Sequence, residues 1–343
     1  MPTAEGVLAV ARELADDVLF PDAMQVDRLD VLPVAYLDAF AAAGLYGAPA
    51  PAGTGGLGLD LCEVGSVVEE LAGGCLAAAF VLIQHFRLVM TLAADGAPPA
   101  LRDRWLASAC QGRTRGGIAL TGLIPGPPQL RAEPAEGGWR LDGTAPWVTG
   151  WGLIDLVQVV ARGPDDTVVT LVMDAAAQPG LAVTRQRLAA VDASVTVRLG
   201  FDGVVISQDR FVDQVPFDPA VSVQPAGLRL NGSLALGLAR RCCRMLGPGP
   251  LDDEVDACRQ RLDAALGEDP APMAAARAAA AELALRAAAA LAVRDGGNAV
   301  TVDQHAQRLA REAVFLLVFG SRPGIKSALL RRLGAVAPSG RSL

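Results

Sequence analysis

Two hydroxyls at strand ends and one histidine in an apolar helix are the side chains of this 343-residue chain best placed to do chemistry. Ile118-Ala119-Leu120-Thr121 is a short apolar strand ending in a hydroxyl. Residues 138–150, running into 154–160, read as two strands joined through a turn, with Trp147-Val148-Thr149 on the edge. Packing alone would also account for these residues, because Thr is favoured in strands and a Trp fills a core. His85, one of two histidines, sits with Gln84 and Arg87 as a polar interruption of an apolar helix. The expectation from the residue alone is a buried hydrogen bond where two domains meet. His305 follows Asp303-Gln304 at a helix start and is expected at the surface. Arg229, Arg240, Arg241 and Arg244 share one helix, the last three at three- and four-residue spacing. They could hold phosphates, but a solvated face or an oligomer contact is the expectation. Gly55-Gly56-Leu57-Gly58 follows no strand and is no dinucleotide fingerprint.

These residues need elements to hold them. Apolar positions recur at three- and four-residue spacing over 4–20 and 27–43, and the second run stops at Gly44. Asp60 and Glu63 have the spacing of a capping box and predict a helix to about Ala72. Further helices are predicted over 75–94 and 98–111. From 116 to 215 short β-branched runs such as Thr167-Val168-Val169-Thr170 alternate with Gly-rich turns. Helices return over 226–246, 252–266, 270–294, 301–319 and 324–333. The order predicts an α+β protein: an N-terminal all-α domain (1–115), a central β-barrel-like domain (116–220) and a C-terminal helical bundle (221–335).

Composition narrows the class. Hydrophobic residues make up 52% and charged residues 20%, so the chain is globular. A net charge of −7 and a pI near 5.0 argue against nucleic acid as a partner. The six cysteines lack paired zinc spacing and sit in apolar helical context. They are read as free thiols in a reducing cytoplasm. No basic run precedes an apolar core at the start, and the 77–92 stretch, interrupted by Gln84, His85 and Arg87, is expected not to span a membrane.

The α, β, α order together with several motifs resembles the acyl-CoA dehydrogenase family. The motifs are Gly44-Leu45-Tyr46-Gly47 with Pro51 and Gly55-Gly56-Leu57-Gly58, then Glu69-Glu70-Leu71-Ala72, Trp147-Val148-Thr149, Ala193-Ser194-Val195-Thr196, and 199–206. The likeness covers residues 1–246 well and the rest weakly, with a shortened C-terminal domain. It implies FAD as cofactor, with Leu120, Thr121, Trp147, Val148 and Thr149 at the flavin. Thr121 and Thr149 would offer hydroxyl or backbone groups to its polar edge, and Trp147 would pack beside it. It also implies an acyl thioester (of CoA or a carrier protein) as substrate and a homo- or hetero-oligomer.

Three departures accompany the likeness. Gly122 stands where the family carries a carboxylate after Thr121, and Leu123-Ile124-Pro125-Gly126-Pro127-Pro128 supplies no Ser or Asp. No Arg-x-x-Phe-Gly segment is present to reach a dinucleotide. The α-proton of an acyl thioester needs a base, yet no carboxylate follows Glu312 and none lies in 228–235, the two places where the family carries one. The sequence therefore nominates no catalytic residue. Three readings stay open: a dehydrogenase performing α,β-oxidation, a base-less partner subunit of a hetero-oligomer, and a flavin monooxygenase of the same fold with His85 near the reaction.

Overall fold

The structure, a computed structural model, describes residues 3–218, 224–267 and 271–335. The domain boundary expected at 220/221 lies outside the described residues. The chain opens with α1 (Ala4–Glu13), which passes through a π-helical turn (Leu14–Leu19) into α2 (Phe20–Val26). The second predicted helix is shorter than its apolar spacing suggests: α3 covers only Val34–Ala42. Pro33 precedes it, and residue 32 is turned aside by a tertiary bond, its N–H donating to the Ala193 carbonyl at 2.9 Å. Then come α4 (Leu61–Gly74), α5 (Leu76–Ala93) and α6 (Pro99–Cys110). The capping box at α4 is present, with Asp60 accepting from the Glu63 N–H and Glu63 from the Asp60 N–H.

The middle of the chain forms β1 (Gly116–Ala119), β2 (Leu130–Ala135), β3 (Gly138–Val148), β4 (Leu156–Arg162), β5 (Thr167–Asp174), β6 (Leu181–Arg185), β7 (Val197–Ser207) and β8 (Phe211–Pro216). They make one mixed sheet in the order β6-β7-β3-β2-β4-β5-β8, with β1 parallel to β4. Inward residues from both halves of that path, among them Leu141, Val159, Leu171 and Leu199, share one core, so the sheet curls around it. All of β4 is buried. One face meets this core, and Leu156 on the other joins Leu88 and Leu92 of α5. A strand covered on both sides tolerates an unbroken apolar run.

The last part is helical: α7 (Pro225–Leu246), α8 (Pro250–Ala264), α9 (Ala271–Asp295), α10 (His305–Val318) and α11 (Pro323–Arg332). Helices α4 and α7 cross at Gly237, where a Cβ would stand 2.2 Å from the Glu69 carbonyl oxygen. Only glycine permits that approach. By length and composition α5 could cross a bilayer, contrary to the reading of 77–92. Here 78% of it is buried against the surrounding elements, as a core helix requires.

Candidate functional site

The arginines of α7 are all paired with carboxylates: Arg229 and Arg241 are buried, while Arg240 and Arg244 keep part of their surface in solvent. Arg229 is fully buried, with Asp263 at 2.6 Å and Glu69 at 3.6 Å. Arg241 is buried on Asp16 and the Gly73 carbonyl, and Arg244 reaches Glu70 at 2.6 Å. Arg240 pairs with Asp256. These are struts tying α7 to the N-terminal helices and to α8. Their acidic partners lie far away in the sequence, so helix spacing alone did not show them.

Both histidines are also accounted for by packing. His85 is buried where α5 meets β1, and its Nδ1 accepts the Gly116 N–H at 2.9 Å. Its ring packs edge-on against Tyr46 at 4.9 Å, and burial pushes its pKa down to about 3. The imidazole is therefore neutral, with the proton on Nε2, and serves the domain junction. His305 is stacked on Phe20 at 4.2 Å rather than lying free at the surface. Burial, then Arg308 and Arg241, lower its pKa to about 4.

The strand-end residues divide into two kinds. Leu120 is partly buried beside Leu123, Val160 and Val168, and Val148 is fully buried in the sheet core. Both can offer a ligand only backbone groups. Trp147 is different: its indole is 63% exposed, a large apolar surface left uncovered at the end of β3. Beside it Thr149 is buried, its Oγ1 3.2 Å from Thr196 Oγ1, which lies 3.4 Å from Ser194 Oγ. Ser194 and Thr196 belong to one of the sequence motifs, which gives no sign that Thr196 meets Thr149, 47 positions away.

Thr121 is buried and opens a 3-10 turn, Thr121–Leu123, after β1. The turn lies flat on β4. A Cβ at Gly122 would stand 2.5 Å from the Ala161 carbonyl carbon, so no side chain fits there. Arg162 holds the turn down by donating to the Gly122 carbonyl at 3.1 and 3.2 Å and to the Ile124 carbonyl at 3.2 Å. Its guanidinium is shared with Asp166 and lies 3.6 Å above the Phe217 ring. The missing carboxylate at 122 is thus enforced by packing.

The loop after α10 reads Phe319-Gly320-Ser321-Arg322 and meets α7: a Cβ at Gly320 (φ 60°) would stand 2.7 Å from the Asn231 amide nitrogen. Phe319 and Phe315 pack with Phe80 of α5, with ring centroids 4.7 to 5.4 Å apart. Arg277 caps the end of α10 through the Leu316 carbonyl at 2.9 Å. The buried carboxylates Glu69, Glu70 and Glu312 are all paired with arginines. A cleft of about 460 Å³ opens elsewhere, between α3, the turn after α6 and residues 152–155, and none of the five strand-end residues lines it.

As a test of fit for a flavin, the exposed indole and the adjoining hydroxyl cluster suit the ring, which needs an apolar wall and a few fixed hydrogen bonds. The 122–128 turn, by contrast, has no hydroxyl or acidic side chain with which to hold the rest of a dinucleotide.

Residues 2–113 match the family "Acyl-CoA dehydrogenase, N-terminal domain". The chain is 26% identical over 239 residues to benzylmalonyl-CoA dehydrogenase of Aromatoleum aromaticum, a match covering 66% of this chain and 62% of that protein. The matches span about three-fifths of the length of such curated relatives. Among solved structures, a glutaryl-CoA dehydrogenase from Mycobacterium smegmatis in complex with FADH2 superposes with a TM-score of 0.78 at 19% identity, over 98% of this chain and 96% of that one. The Tcur3481-Tcur3483 steroid ACAD superposes at 0.77 with 21% identity, over 96% of both chains.

Proposed function

We propose that this chain, whose residues 2–113 match the acyl-CoA dehydrogenase N-terminal domain, is the base-less half of a paired, FAD-dependent enzyme of that family acting on an acyl thioester. One observation carries this reading: residues 228–235 and 313–343, where the family likeness would put the base, hold no carboxylate side chain. Bound FAD would supply hydride acceptance, and the α-proton would go to a carboxylate on a partner chain of the same fold. Trp147 would cover the ring and Thr149 would hydrogen-bond its polar edge. The 122–128 turn leaves the phosphates to other groups, which also favours a site completed by a second chain. The paired name of one structural neighbour is in keeping with this.

The test is reconstitution. Purified chain should take up FAD, show no bleaching with an acyl-CoA panel under anaerobic conditions, and co-purify with a second, carboxylate-bearing family member whose addition restores bleaching. A chain that bleaches its flavin alone would overturn the reading. The monooxygenase reading gains nothing from His85, whose Nδ1 is tied to the backbone of β1.

A further inference from the structure

The hydroxyls of Ser194, Thr196 and Thr149 lie in a row, 3.4 and 3.2 Å apart. Each has one proton to donate. Two protons make the two bonds within the row, so one is left over. Among the described residues no other hydrogen-bond partner for any of the three is recorded. The spare proton sits on Ser194, on Thr149, or on Thr196 when the central oxygen accepts from both neighbours. Ser194 is wholly enclosed and Thr196 nearly so, and a hydroxyl proton buried at either without an acceptor costs about 1–3 kcal/mol. Thr149, itself buried, is at the other end, one residue past β3 and two residues from the uncovered Trp147. The cheaper arrangement runs Ser194 to Thr196 to Thr149, with the Thr149 proton aimed out of the cluster.

The backbone holds this row at a cost. Val191 and Val195 flank the 192–194 turn in the left-handed region, at φ 54° and 50°. A β-branched residue pays roughly 1–3 kcal/mol for that conformation, which persists only where its surroundings over-determine it. Here they do. Gly150 N–H donates to the Ser194 carbonyl at 2.9 Å, and Trp151 N–H to the Val195 carbonyl at 3.2 Å. Asp192 is held by Arg185 at 3.3 Å and Arg187 at 3.2 Å. The strained turn and the end of β3 are thus bonded directly to each other, which fixes the hydroxyls in register.

We infer that Ser194 and Thr196 are positioning residues: they form a one-way hydroxyl relay that sets Thr149 as a hydrogen-bond donor to an acceptor atom of the flavin ring. This rests on the flavin reading above. FAD titration of the purified chain, followed by flavin fluorescence and the visible absorption band, tests it. Thr149→Val and Thr196→Val should each weaken FAD binding by roughly two- to tenfold, the worth of one hydrogen bond, and shift the band. Thr196→Ser keeps the hydroxyl and should restore both. A Thr196→Val protein with a lowered melting temperature but unchanged affinity and spectrum would show a merely structural role and overturn the relay while leaving the flavin reading intact. If the wild type and Thr196→Ser both take up no FAD, the flavin reading fails and the relay with it.

Discussion

The junction of α5 with the β-domain makes a quantitative prediction through His85. Its pKa is about 3 in the folded chain, against an ordinary 6.5. Below pH 6.5 the unfolded chain therefore takes up a proton that the folded chain refuses. The stability this confers is complete above about pH 6.5 and is lost as the pH falls toward 3, at a limiting slope of about 1.4 kcal/mol per pH unit. Between about pH 7.5 and about pH 5 the loss from His85 alone comes to about 2 kcal/mol. His305 is displaced in the same direction, to about 4, and adds to the wild-type slope. His85→Asn separates the two, because the Asn carbonyl can accept the Gly116 N–H in place of Nδ1 and does not titrate. Urea unfolding across the pH series should show the wild type losing about 2 kcal/mol more than the variant over that interval. Parallel curves, or an imidazole NMR titration placing His85 near 6.5, would refute a buried neutral His85.

Other perturbations follow from the packing. Restoring the family's acid with Gly122→Glu drives a Cβ into the backbone of β4. It should cost at least about 1–3 kcal/mol, read as a lowered melting temperature, without enhancing FAD uptake. Arg229→Met leaves Asp263 without its cation, while Glu69 keeps Arg259 at 2.6 Å. It should destabilise the α4–α7–α8 junction by about 3 kcal/mol or more in chemical unfolding, while Arg187→Met on the exposed rim should leave the unfolding midpoint nearly unchanged.

Local signals made much of the architecture legible. The capping pair Asp60 and Glu63, the β-branched run at 167–172 and the alanine-rich α9 each act over a few residues, and each formed as expected. What the sequence hid depends on distant partners. The spacing at 27–33 suited a helix, but Pro33 and the bond from residue 32 to Ala193 decided otherwise. Arg241 and Arg244 looked like a solvated face because Asp16 and Glu70 lie 225 and 174 residues away. Gly122 read as a lost acid, and only the fold gives the reason: the turn is pressed onto β4. The motif Trp147-Val148-Thr149 could not reveal that its hydroxyl is joined to Thr196, because nothing in an alternating strand pattern encodes a contact across a strained turn.

Anaerobic titration of the FAD-reconstituted chain with an acyl-CoA panel decides whether the proposed flavin surface works without a base of its own. The expected result is an oxidised flavin spectrum that no acyl-CoA bleaches until a carboxylate-bearing partner is added. Bleaching of the chain alone at a catalytically useful rate would contradict it.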